Sequence, residues 1–73
     1  MKITLESTTK VVTLNGVPAR LWEGHTVAGI PVHAYITRIA ADAGADQTEF
    51  ERELEDCVPP TPDVAALPAR LLL

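Results

Sequence analysis

The chain has few of the residues that usually staple or seal a small protein. It holds one cysteine, Cys57, so no intrachain disulfide can close, and no cysteine–histidine spacing matches a zinc site. Its aromatics are one each of tryptophan, tyrosine and phenylalanine, too few for an aromatic core. Basic residues number 6 against 10 acidic ones. Direct nucleic-acid binding is therefore disfavoured, because neutralising phosphates takes a basic face. The terminal Leu71-Leu72-Leu73 is far shorter than the roughly 20 apolar residues needed to span a bilayer, so no membrane role is expected. Met1-Lys2 leads into the alternating Ile3-Thr4-Leu5-Glu6 rather than an apolar leader. With a lone thiol, the expected location is the cytoplasm.

What is present describes one small globular domain, residues 1–73. Hydrophobic residues make up 47% and charged residues 22%, unlike the charge-rich composition of a disordered chain. At 73 residues the expected stability is about 4–11 kcal/mol, in the size range where a staple or partner often helps. Charge is unevenly spread. Residues 1–38 carry Lys2, Lys10, Arg20 and Arg38 against Glu6 and Glu23, a net of +2. Residues 39–73 carry eight acids against Arg52 and Arg70, a net of −6. Such asymmetry speaks to partners rather than fold, and favours a basic protein partner.

Strand signals dominate the first half. Apolar residues sit at odd positions in Ile3 and Leu5 and at even positions in Val12 and Leu14, which places a turn or β-bulge within Glu6–Lys10. Asn15-Gly16 between β-formers predicts a two-residue hairpin. It sets Leu14 opposite Val17, Val12 opposite Ala19 and Lys10 opposite Leu21 on a core face, with Thr13–Pro18, Val11–Arg20 and Thr9–Trp22 on the other. Glu23–Pro31 reads as a connection. Val32–Ala40 reads as a third strand, central in its sheet because neither face is fully polar. Strands are thus expected at about 2–14, 17–23 and 31–40. Pro18-Ala19-Arg20-Leu21 recurs as Pro68-Ala69-Arg70-Leu71, too short a match to be a structural repeat.

A helix is predicted over about 46–57. Asp46 with Glu49, or Thr48 with Glu51, fits a capping box, and Phe50, Leu54 and Cys57 make a narrow apolar stripe. Pro59-Pro60 ends it. A tail over 59–73 either makes one turn from Pro62 and a short strand, or packs down as an apolar end. The expected fold is α+β: a small antiparallel sheet of three to four strands, one acidic helix packed on one face, and a short C-terminal element.

No residue set brings together a nucleophile, a base and an orienting group, so no enzyme and no cofactor is expected. Cys57 could act as a nucleophile with His25 or His33, but its place on the helical stripe suits a small buried side chain. The two histidines match no metal spacing, so no metal site is expected. Trp22, Tyr35 and His33 are placed together on the sheet face away from the helix, as contact anchors, and the free sheet edges could pair two copies in a homodimer. The acidic helix is the most informative feature: Asp46, Glu49, Glu51, Glu53, Glu55 and Asp56 fall within eleven residues. At roughly 1.5 Å rise per residue this is about 2.7 Å of axis per acid, near the roughly 3.4 Å per phosphate of one DNA strand. The acids near the N-terminus suit the helix dipole. Glu55 and Asp56, at the opposite end, do not, and they point toward a basic partner, while a solvated helix face stays the other reading of the same acids.

The stretches Val12–Gly24, Ile30–Arg38 and Phe50–Leu54 resemble, in general style and over about two thirds of the chain, small proteins encoded by phages and prophages. That type includes anti-CRISPR and other inhibitors of bacterial defence. The resemblance implies binding to a basic defence protein or nucleoprotein complex in the bacterial cytoplasm, with acids competing for a nucleic-acid groove. It puts weight on Glu49, Glu51, Glu53, Glu55 and Asp56. Two other readings follow from the residues: a homo-oligomeric assembly protein using the sheet edges, Trp22 and the Leu71–Leu73 tail, or a small-molecule sponge with a pocket at a dimer interface using His33, Tyr35 and Trp22.

Overall fold

The computed structural model of the chain describes residues 1–62. Three strands precede one helix: β1 (Ile3–Leu14), β2 (Val17–Thr26), β3 (Pro31–Ile36) and α1 (Gln47–Leu54). The strands form one antiparallel sheet in the order β1-β2-β3, a small α+β arrangement. The expected tail elements at residues 63–73 lie outside the described residues. Among those described, no fourth strand forms. Val58 makes a single parallel bridge to Thr8 on the outer side of β1.

Turn chemistry sets the sheet. Asn15 and Gly16 take positive φ values of 50° and 80°, the pair of left-handed residues that matches the twist of a two-residue hairpin. Leu14–Val17, Val12–Ala19, Thr13–Pro18 and Val11–Arg20 pair as expected. The second hairpin turns later than expected. β2 runs on through Glu23–Thr26, and Val27-Ala28-Gly29 make the turn. Gly29 stands at φ 83°, and its N–H donates to the Thr26 carbonyl at 2.9 Å while Thr26 N–H donates to the Ile30 carbonyl at 3.0 Å.

The predicted irregularity in β1 is present, and larger than a one-residue slip. Ser7 faces Trp22 and Val11 faces Arg20, so Thr8, Thr9 and Lys10 together stand opposite Leu21 alone. Lys10–Leu21 and Thr9–Trp22 are accordingly not partners. A bulge frees backbone groups that need partners, and here they are supplied. The Thr8 hydroxyl donates to the Leu21 carbonyl at 2.8 Å and accepts from Lys10 N–H at 3.2 Å. Arg20 Nη1 donates to the Thr8 carbonyl at 2.8 Å. Thr9 N–H donates to the Val58 carbonyl at 2.9 Å, and Val58 N–H returns a bond to Ser7 at 3.1 Å. Thr8 and Leu21 are 0% exposed and Ala19 1%, so the tightest packing lies at this bulge.

Because the bulge adds an even number of residues, it does not bring the apolar positions of β1 onto one face. Val12 and Leu14 share a face with Ala19, Leu21, His33 and Tyr35. Ile3 and Leu5 share the opposite face with Trp22, Val32, Ala34 and Ile36. The helix lies on this second face, where Phe50 and Leu54 line clefts with Leu5 and Trp22.

Three expectations are corrected. Among the described residues, the strand from residue 32 lies at an edge of the sheet rather than its centre; β2 is central there because both its sequence neighbours fold back on it through short hairpins. This strand also stops at Ile36 rather than running to Ala40. The Thr26–Ile30 bond puts even-numbered β2 residues in hydrogen-bonded register with β3. The next such pair would be Pro18 with Arg38, and proline has no N–H to donate. The helix is shorter than 46–57. Asp46 is its N-cap and Glu55 its C-cap, and no α1 residue is buried.

Candidate functional site

The site is built around α1. Asp46 Oδ1 accepts from Glu49 N–H at 3.0 Å, which meets one of the orphan donors at the helix start. The reciprocal half of a capping box is replaced: the Glu49 carboxylate takes two bonds from the Arg52 guanidinium, one turn on. This pairing lowers the Glu49 pKa from its ordinary 4.5. Glu49 also raises that of Arg52, with Asp56 and Glu53 adding to the effect through their charge. Beyond Leu54 the chain closes with short-range bonds, Glu55 N–H to Arg52 at 3.2 Å and Asp56 N–H to Glu53 at 3.1 Å.

The six expected acids are all exposed, but they do three different things. Asp46 and Glu49 serve the helix itself. Glu53 and Asp56 stand at a cleft of about 310 Å³ whose walls include Leu5, Trp22, Ile39, Phe50 and Leu54. Glu51 and Glu55, one turn apart, line none of the clefts found between helix and sheet. Among the described residues, Glu49–Arg52 is the one salt bridge. A second cleft of about 240 Å³ adjoins the first, sharing Ser7, Trp22, Ile39 and Leu54, and carries Arg20 and Arg38.

The two aromatic candidates are separated, which corrects the expectation that they share a face away from the helix. Tyr35 lies opposite Leu21 and Trp22 opposite Ala34. Adjacent positions on a strand point to opposite sides, so Tyr35 and His33 are on the helix-free face and Trp22 is beneath α1. The His33 and Tyr35 rings meet edge-on, with centroids 5.9 Å apart. Within one copy of the chain, His33 and Tyr35 therefore share no face with Trp22.

Cys57 is half-buried in a polar setting rather than a buried apolar one. The Ser7 hydroxyl points at its Sγ at 3.5 Å, Arg20 Nη1 at 3.6 Å, and the thiol reaches the Leu54 carbonyl at 3.6 Å. The Ser7 hydroxyl also donates to the Asp56 carbonyl at 3.1 Å. Ser7 and Arg20 thereby tie the end of the helix to the bulge. Past Val58 the chain reaches the other face of the sheet, where Thr61 donates to both oxygens of Glu23, at 3.0 Å from its N–H and 2.7 Å from its hydroxyl.

Among the described residues, no three His, Cys, Asp or Glu side chains gather as a metal site, and no helix is long and apolar enough to cross a membrane. Sequence reasoning missed Arg38 and Ile39 as members of the clefts. No local signal marks them: both are placed by the end of β3. Comparison with protein-family models, curated proteins and solved structures finds no match to this chain.

Proposed function

We propose that this chain is a non-catalytic binding protein, an inhibitor of the phage type. In this reading its acidic helix meets a basic, nucleic-acid-handling complex of bacterial defence, such as a CRISPR–Cas assembly, and bars nucleic acid from it. The observation that carries the reading is the state of the helix carboxylates. Glu51, Glu53, Glu55 and Asp56 are exposed without a basic partner among the described residues, and only Glu49 is neutralised. Unpaired like charges along a short helix cost stability by mutual repulsion. A complementary basic groove removes that cost and steers association.

The test is capture from a bacterial lysate by the tagged protein at about 0.1 M and about 1 M salt, where screening lengths are about 10 Å and 3 Å. The expected result is a basic nucleic-acid-binding complex held at the lower salt and released at the higher. The Glu51→Gln, Glu55→Gln double variant should keep its fold and lose that capture. Undiminished capture by the folded double variant would refute the acidic-helix reading.

A homo-oligomeric assembly role is the second reading, favoured by the edge of β3, which pairs with no further strand among the described residues. There the backbone groups of His33 and Tyr35 face outward, on the register set by β2. A mass that doubles with concentration would support it.

A further inference from the structure

The two clefts under α1 differ in charge, and the difference specifies a ligand. They share a floor of Trp22, Ile39 and Leu54. Ile39 is 48% and Leu54 38% exposed, so this floor is apolar surface left open rather than closed core. One cleft carries the cations Arg20 and Arg38, the other the acidic residues Glu53 and Asp56. Arg20 is engaged with the Thr8 carbonyl and Cys57. Arg38 makes no hydrogen bond or salt bridge among the described residues, and neither do the Glu53 and Asp56 carboxylates.

We infer that this groove is a peptide-binding site, and that its occupant is a short segment of a partner protein with an aliphatic centre, a basic side chain at one end and an acidic one at the other. Each part of that description has a physical cause. An open apolar floor gains by burying aliphatic side chains. Rims of opposite sign reject segments charged alike at both ends, because one end then meets its own sign. A uniformly basic segment, by contrast, would suit the outer carboxylates Glu51 and Glu55 and not this groove. The inference rests on the reading of the chain as a protein binder, but it assigns recognition to a different surface from the outer helix face.

The test uses the chain's single tryptophan as the reporter, through the Trp22 indole N–H signal in two-dimensional NMR. Three capped hexapeptides share a central Leu-Leu pair. One carries lysine at one end and glutamate at the other, one carries lysine at both ends, and one glutamate at both. The mixed peptide should shift the Trp22 signal saturably and bind at least about threefold more tightly than either uniform one, as a pair of exposed charge contacts allows. Either peptide direction satisfies the match, so the order of charges is not at issue. The Arg38→Glu variant cancels the net positive charge of the basic rim and should remove the advantage of the mixed peptide over the dilysine one. The variant leaves Arg20 and its bond to the bulge in place, so folding is retained.

Equal binding of all three peptides, an unchanged preference in the folded Arg38→Glu variant, or no saturable shift up to about 5 mM, where binding is only millimolar, would overturn the inference. So would a Trp22 shift driven by protein concentration alone with a doubled sedimentation mass, which would make the occupant a second copy. Lysate capture that depends on Glu51 and Glu55 while the peptides fail would sink the groove alone. Peptide binding without capture of any basic complex would sink the inhibitor reading and leave the groove.

Discussion

The bulge in β1 and the helix α1 are built on opposite plans. At the bulge, Thr8, Ala19 and Leu21 are almost fully removed from water, and the hydroxyl of Thr8, the guanidinium of Arg20 and the backbone of Val58 answer its freed groups. In α1 no residue is buried. The helix is held by its cap, by one exposed ion pair and by the Ser7–Cys57 junction at its end. The difference teaches that the sheet carries the stability of the fold while the helix is a charged attachment. A helix that contributes little to the core is free to use its faces for recognition.

The comparison can be broken most severely within the sheet. A Cβ on Gly24 would land on the Thr4 carbonyl oxygen and come within 2.7 Å of its carbon and 2.9 Å of the Leu5 Cα. These are backbone atoms that cannot swing aside. Gly24→Ala should therefore cost about 3 kcal/mol, the upper range for overpacking, a large share of the stability of so small a chain. Urea denaturation measures it, and a midpoint equal to that of the parent chain would show that β1 and β2 do not approach so closely.

A smaller loss tests the bulge itself. Thr8→Val keeps the shape and removes the hydroxyl, leaving the buried Leu21 carbonyl without that donor, at a cost of about 2 kcal/mol. The same denaturation series should show it, with Thr8→Ser recovering most of the loss.

The helix should respond on a different scale and in a different observable. Asp46→Ala removes the N-cap and weakens α1 by about 1 kcal/mol. If the sheet is the cooperative unit, amide exchange in residues 47–54 quickens while the urea midpoint hardly moves. A fall in the midpoint as large as that of Thr8→Val would mean that helix and sheet unfold together, against the division drawn above.

The mildest probe is acid. Because Arg52 lowers the Glu49 pKa, the pair favours the helix above the ordinary carboxylate value of 4.5. That favour is lost as pH falls through the lower midpoint of the folded state. An NMR titration of the Glu49 side chain should show the depressed midpoint, and Arg52→Gln should bring it back up toward the ordinary value. An unaltered midpoint in Arg52→Gln would leave the ion pair without effect in solution.

Much of the fold was legible because its signals are local. Asn15-Gly16 specifies its hairpin through two left-handed residues, and Asp46 caps its helix through a side chain three residues from its target. The parity change between Leu5 and Val12 does not account for the irregularity of β1, because a two-residue bulge leaves those positions on opposite faces. The size of that irregularity was not legible. Whether two residues or three stand opposite Leu21 depends on Val58, some fifty positions away, and on the reach of Arg20. The candidate site was legible in composition but not in arrangement. Six carboxylates could be named, yet which of them serve the helix, which border the groove and which face outward depends on how α1 lies over Trp22.

The amino-acid sequence by itself determined the elements and the charge: three β-forming stretches, one capped acidic helix, and a lone cysteine that closes no disulfide. These follow from short-range backbone preferences and from counting. Only the tertiary structure decided that β2 and not β3 is central among the described strands, that Tyr35 and Trp22 look to opposite sides, and that Arg38 and Glu53 border one groove. Each of these is set by register. Register depends on an even-numbered bulge and on Pro18, whose missing N–H ends the third strand, and both act only once the strands have met.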